Sequence, residues 1–411
     1  MAEPESLRSR AKVLFMTTRY RLFAVGALVV LAVGAAVSRL SLRAAETLPA
    51  RLSDQEFWRL SEQMSEPDGY FQSDNLLSNE IWLQYVIPDL VKRTKPGGVY
   101  MGVGPEQNYT YIAAIKPKMV FLPDIRRGNL DLQLMYKALF EMSADRADFV
   151  SRLFSRKRPA GLSEKSTAAE IFNAYDPVEA GSPDVYRQNL RAIEDQLTEK
   201  NHLPLSKDDL GGVEYVYDNF YRFGPRINYN SSTSNRGRGG NFVNYADLMA
   251  ATDEEGVDRS YLANEENFKV LKDLEERNMM VPVVGNLGGP KAVRAVGKYV
   301  RDHGATITAF YLSNVEQYLM RDRLSDVFMC NVSALPLDAQ STFIRSQNGG
   351  GNGRPPFGGG FSGSGGNVPG GFGGGGTFRG GGFGGRGGGL MSFLGNMQEE
   401  AKTCPNSSRA R

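Results

Sequence analysis

The stretch from Lys95 to Ala144 narrows the fold more than any other part of the chain. Gly98-Val99-Tyr100-Met101 is a short apolar strand that runs directly into Gly102-Val103-Gly104-Pro105-Glu106-Gln107-Asn108. Gly102 and Gly104, one residue apart, permit a tight turn and let a ligand approach the backbone closely. Pro105 suits the first position of a helix, where its missing N–H costs nothing. The helix is predicted to continue to about Ile115, where Lys116-Pro117 ends it. Met119-Val120-Phe121-Leu122 then reads as a second strand closing on Pro123-Asp124.

A strand, glycine turn, helix and strand, followed by an acidic residue about twenty positions after the turn, form the nucleotide-binding half of a Rossmann fold. Asp124 is expected to accept hydrogen bonds from ribose hydroxyls. Arg126 and Arg127 follow at the mouth of the sheet, where open α/β folds bind ligands. They could clamp a carboxylate or phosphate, or pair with Asp145, Asp148 or Glu141. Asn129 opens the next helix, with Leu130, Leu134, Ala138 and Met142 on its buried face.

A second strand–helix–strand unit is read at 281–313. VPVVG is a strand, NLGGP a glycine-rich turn, KAVRAVGKYVRDHG a helix, and ATITAFYLSN the next strand. Asn286, Gly288 and Gly289 stand at a helix N-terminus, which suits an anion or is simply a tight turn. Asn314 and Glu316 are expected on the same sheet edge as Asp124. His303 falls at a helix C-terminus, a structural position for a partly positive ring.

The remaining globular part reads mainly as helices. Ser53-Asp54-Gln55-Glu56 is a capping box. A helix is predicted from Asn79, kinked by Pro88. Tyr186, Leu190, Ile193 and Leu197 recur at helical spacing. Residues 230–240 (NSSTSNRGRGG) read as a flexible loop.

Both ends differ from this globular part. Residues 1–21 form a basic tail with Arg8, Arg10, Lys12, Arg19 and Arg21, and residues 22–38 an apolar run. That run reads as a transmembrane helix or signal anchor, or else as a signal peptide cleaved after Ala36-Val37-Ser38. Arg39 and Arg43 favour retention, and the basic excess before the run places the main domain outside the cytoplasm. For a bacterial chain the expectation is an inner-membrane, single-pass protein with a periplasmic domain, or a secreted one after cleavage. Residues 347–411 are Gly-rich, with Arg379 and Arg386 among glycine and phenylalanine, and are expected to form a disordered tail. RNA association or a flexible tether are its two readings.

Several chemistries find no support in the composition. The net charge of +2 argues against a nucleic-acid partner. Two cysteines, Cys330 and Cys404, cannot build a disulfide framework or a zinc site, and no bridge between them is expected. Two histidines, His202 and His303, leave little for a triad or a metal site.

KPGGVYMGVG resembles the first strand and glycine loop of class I S-adenosylmethionine-dependent methyltransferases, and VFLPDIR their second strand and ribose-binding acid. The chain departs from that family at Tyr100, where an acid is usual, and at Glu106, where a third glycine is usual. Over residues 53–346 it also resembles an uncharacterised bacterial family, through VGPEQNYTYIAAIKPKMVFLPDIRRGNLDLQLMYKALFEMSADRADFVSRLFSR and VPVVGNLGGPKAVRAVGKYVRDHGATITAFYLSNVEQYL. The resemblance implies a methyltransferase-like Rossmann domain: an α/β fold with a mostly parallel sheet flanked by helices. It makes Gly102, Gly104, Glu106, Asp124 and Arg126 the candidate residues for binding S-adenosylmethionine or another nucleoside-type small molecule, with no catalytic residue assigned and no metal. The alternatives are a non-catalytic periplasmic binding or scaffold protein, and a hydrolase using Glu106, Asp124 or Glu316.

Overall fold

The computed structural model describes residues 47–232, 243–348 and 390–404. The basic tail, the apolar run 22–38 and most of the 230–240 loop lie outside the described residues. Among the described residues no helix is long and apolar enough to cross a membrane.

Helix α1 (Asp54–Met64) opens the domain. Ser53 accepts from Glu56 N while the Glu56 side chain returns to Ser53 N, the reciprocal pair expected from the sequence. The long helix predicted from Asn79 is instead a 3₁₀ turn at Leu83–Val86 followed by α2 (Ile87–Arg93). Pro88 kinks nothing, because it lies in the first turn of α2, where a missing N–H breaks no bond.

Strand β1 (Val99–Gly102), α3 (Gln107–Ile115) and β2 (Met119–Asp124) form the predicted unit. Helix α3 starts two residues later than expected, so Pro105 belongs to the turn. A large helical insertion separates β2 from β3. It begins with α4 (Arg127–Met142) and α5 (Arg146–Leu153), then α6 (Ala168–Tyr175) and α7 (Pro183–Asp195). It closes with α8 (Lys207–Phe223), α9 (Tyr245–Met249) and α10 (Glu265–Glu276). Leu130, Leu134 and Ala138 on α4 and Leu190 and Ile193 on α7 are buried, as their spacing predicted. Leu197 is buried too, in a π turn that extends α7.

Strand β3 (Met280–Val284), α11 (Ala292–Asp302) and β4 (Ile307–Ser313) follow, then α12 (Val315–Arg321), α13 (Ser325–Ser333) and β5 (Thr342–Asn348). The six-stranded sheet has the order β3-β2-β1-β4-β5-β6, all parallel except the last pair. Its inner strands are buried on both faces, which is why they are written as unbroken apolar runs. Strands β3 and β4, read from the sequence as one unit, are not neighbours. The chain crosses from one flank of β2-β1 to the other, and this reversal next to β1 creates the crevice where Rossmann folds take ligands.

The tail from 347 onward is corrected in part. Residues 349–389 lie outside the described residues, but β6 (Leu390–Asn396) returns and pairs antiparallel with β5 from Thr342↔Asn396 to Asn348↔Leu390. The Gly-rich stretch is therefore an insertion between two paired strands. Helix α14 (Met397–Glu400) follows, with Met397 fully buried. Cys404 is then bonded to Cys330 on α13, with a Cα–Cα distance of 4.8 Å. The sequence reading expected no such bridge because it took Cys404 to be in an unstructured tail. Pairing of β6 carries Cys404 back to the domain.

Candidate functional site

A cleft of about 120 Å³ lies over the carboxyl ends of the central strands. Val103, Gly104 and Gln107 enter it after β1, Asp124 and Arg126 after β2, Asn286 after β3, and Ser313 and Asn314 after β4. The segment from Ser65 to Glu80, between α1 and α2, crosses above and contributes Tyr70, Phe71, Asn75, Ser78, Asn79 and Glu80.

The glycine turn is closed by the chain's own side chains. Gly104 has φ +83°, a conformation that favours glycine. A Cβ on Gly102 would lie 1.8 Å from Asn108 Oδ1 and 2.8 Å from the Tyr100 hydroxyl. Asn108 Nδ2 donates to the carbonyls of Val103 (3.0 Å), Gly104 (3.2 Å) and Pro105 (2.8 Å), and its Oδ1 accepts from Tyr100 Oη at 2.9 Å. Tyr100, one departure from the methyltransferase pattern, thus holds the turn through Asn108. Glu106, the other departure, is fully buried beneath the turn. Its Oε1 accepts from Ser78 N at 3.3 Å and its Oε2 has no partner among the described residues. Burial raises its pKa to about 8, so the carboxyl is neutral at pH 7.

Asp124 stands at the end of β2 as predicted, but its carboxylate is engaged. Oδ1 accepts from Arg126 N and Nε, both at 3.0 Å, and Oδ2 accepts from Arg126 Nη2 at 3.1 Å. Arg126 also donates to the carbonyl of Asp74 in the overlying segment. Arg127 pairs with Asp209 at 2.6 Å. The three acids proposed from sequence bind elsewhere: Asp145 to Arg158, Asp148 to Arg152, and Glu141 to Lys137.

The second glycine turn holds a carboxylate that belongs to the chain. Glu66 Oε1 accepts from the backbone N–H of Lys291 (2.8 Å) and Ala292 (2.9 Å), and Oε2 from that of Asn286 (3.2 Å). A Cβ on Gly289 would sit 2.4 Å from Glu66 Oε2. Helix α11 therefore has its N-terminal donors satisfied from within, as an external anion would satisfy them. At α4, Asp68 does the same for Arg127 N, at 2.6 Å.

Glu80, on the roof, is the polar centre of the cleft. It is 1% exposed and accepts from Tyr311 Oη (2.7 Å), Ser313 Oγ (2.5 Å) and Ser346 Oγ. Burial pushes its carboxyl above the usual carboxylate range, and the three hydroxyl donors pull the other way. Because Tyr311 Oη donates to Glu80, it accepts from Gln107, whose Nε2 lies 3.0 Å away. This network fixes the amide orientation. Gln107 Oε1 is left buried without a partner.

Of the residues predicted on this sheet edge, Asn314 reaches the cleft beside Asp124, whereas Glu316 turns away to Arg345 at 2.6 Å. His303 caps α11, its Nδ1 2.8 Å from the Tyr299 carbonyl oxygen. Among the described residues no group of three His, Cys, Asp or Glu is placed to hold a metal ion. The sequence reading missed Glu66, Asn75, Asn79 and Glu80. It placed Asn79 and Glu80 at the start of a helix, and around Glu66 and Asn75 no periodicity gives a signal beyond Pro67 and Gly69, which mark an irregular segment.

The fold and this cleft define an α/β domain with a six-stranded, mostly parallel sheet flanked by helices, its crevice roofed by the segment between α1 and α2. Residues 76–208 and 228–361 match the model of a domain of unknown function, DUF7790, and the chain belongs to that family. No curated protein matches the chain.

Proposed function

We propose that this protein is a non-catalytic binding protein that keeps the Rossmann frame and takes a small molecule in the switch-point cleft. The observation that carries this reading is the Asp124–Arg126 pair. Both carboxylate oxygens of the expected ribose-binding acid are bonded to one guanidinium, with the two side chains only 5% and 10% exposed. Three further features agree. Asn108 fills the glycine turn, Glu66 fills the second turn, and the cleft of about 120 Å³ is well below the ~300 Å³ at which cofactor sites begin. These residues do not fit S-adenosylmethionine.

The expected location supports the same reading. A disulfide between Cys330 and Cys404 suits an oxidising compartment. The basic excess before residues 22–38 orients the domain outward. S-adenosylmethionine is not expected there. A nucleoside-type ligand is the second reading, favoured by the strand order β3-β2-β1-β4-β5-β6 and by the position of the cleft.

Calorimetry of the full chain with S-adenosylmethionine and with adenosine tests this reading. The expected result is no heat from either. Saturable heat with S-adenosylmethionine that disappears in Asp124→Ala would refute it, and heat with adenosine alone would favour the nucleoside reading. A topology reporter fused after Arg411 should be active only outside the cytoplasm; activity inside would remove the compartment argument.

A further inference from the structure

We infer that the ligand of the switch-point cleft is a neutral polyhydroxylated molecule, a sugar ring or cyclic polyol, held by side-chain amides. The inference rests on the binding reading above and adds the ligand's chemical class. Five carboxamides line the cleft: Asn75 and Asn79 from the roof, Gln107 at the start of α3, Asn286 after β3 and Asn314 after β4, with Asn286 Oδ1 already accepting from Gly288 N. Among the described residues the side chains of Asn75, Asn79 and Asn314 make no hydrogen bond. Gln107 is 3% exposed and its Oε1 is buried without a partner, a group that costs free energy until a donor meets it.

The charges of the cleft select against an ionic ligand. Asp124 is bonded to Arg126, Arg321 to Asp322, and Glu80 to three hydroxyls. An amino acid or a phosphate would compete with these partners for the same charged groups. A neutral molecule need displace none of them. Each carboxamide offers both donors and an acceptor, and each ligand hydroxyl is likewise donor and acceptor, so the two inventories match.

Shape narrows the class further. The volume of about 120 Å³ is well below that of sites which enclose a whole nucleoside-sized ligand, and it leaves room to seat one face of a ring. The amides come from the roof and from the turns that follow β1, β3 and β4, so no single strand edge offers an extended peptide a row of partners. Aromatic rings complete the mouth: Phe71 and Tyr318 meet edge to face at 5.0 Å, and Tyr70 is 86% exposed beside them. Arg126 lies 6.0 Å from the Phe71 ring centroid and Arg321 5.3 Å from that of Tyr318, so it is the exposed Tyr70 ring that offers a face to the C–H side of a ring.

Saturation-transfer NMR on the full chain in lipid nanodiscs tests the inference. Glucose, N-acetylglucosamine and myo-inositol form the neutral panel, against glycylglycine, alanine, adenosine and inorganic phosphate. At least one neutral probe should show saturation, weakened roughly tenfold or more in Gln107→Leu and in Asn314→Leu. Asn314 is half-buried and outside the core, so its variant guards against misfolding of the Gln107 one. Arg187→Ala, on the distant surface of α7, should leave binding unchanged. If glycylglycine or adenosine saturates and both amide variants abolish it, the hydroxyl class is wrong while the cleft still binds. If every probe is silent, the binding reading falls with it. Sugar saturation unaffected by either amide variant would place the ligand elsewhere and overturn the inference.

Discussion

Consider the Cys330–Cys404 bridge opened by the double substitution Cys330→Ser and Cys404→Ser. The two residues are 74 positions apart, and the closed loop contains the entire Gly-rich insertion. Loop-closure entropy for that length corresponds to about 4–5 kcal/mol at 25 °C, acting through the unfolded state. The C-terminal segment is also held by other means. Strand β6 pairs with β5 along its length, Arg345 joins Glu316 to Glu400, and Met397 is fully buried. The variant should therefore fold, with β6 still docked, and lose about 2–5 kcal/mol of global stability. Urea unfolding monitored by circular dichroism measures this as a lower midpoint, and hydrogen exchange should show residues 390–404 opening before the rest of the sheet. Mass spectrometry of the protein from an oxidising compartment should find no free thiol. Two free thiols there, or a loss below about 1 kcal/mol, would refute the argument that the bridge closes an ordered domain.

Three further outcomes follow from the carboxylates of Glu106, Asp124 and Glu66. Glu106 has its pKa raised to about 8 by burial, so its proton is retained on folding, and this contribution is present below the unfolded value near 4.5 and lost as pH rises to about 8. Thermal stability should fall across that window by up to about 5 kcal/mol from this group, and Glu106→Gln should flatten the pH profile; an unchanged profile would rule out its burial as the cause. Asp124→Asn leaves the Arg126 guanidinium without its carboxylate and should cost about 3–5 kcal/mol in chemical unfolding; a loss under about 1 kcal/mol would show the pair to be solvated. Glu66→Ala empties the N-terminus of α11 and should cost about 1–2 kcal/mol, with inorganic phosphate raising the melting temperature of the variant more than that of the parent. An equal response of both proteins would contradict the carboxylate's place in that turn.

Much of the frame was legible before any coordinates. The runs at 99–102, 119–124, 280–284 and 307–313 are strands because parallel strands buried on two faces must be apolar throughout. Ser53 and Glu56 announced α1 because a capping box is a three-residue matter. The misreadings have equally physical causes. Pro88 was placed within a helix because the apolar spacing around it continues, whereas the backbone uses a 3₁₀ turn and starts α2 at that point. Residues 390–404 were read with the glycines before them because composition averages over a window and cannot see a pairing partner 40 or more residues away.

The site divides along the same line. By itself the sequence determined that a strand would end in a glycine turn at Gly102–Gly104 and that an acid would follow at Asp124, since both depend on local backbone conformation and spacing. Only the tertiary structure decided what those features hold. Asn108 folds back beneath the turn, Arg126 closes on Asp124 under the Asp74 carbonyl, and Glu66 reaches an N–H group 226 positions away. Local preferences extend over a few residues. Which donor meets which carboxylate across the sheet is set by strand order, by the crossover beside β1, and by the cost of leaving any buried polar group without a partner.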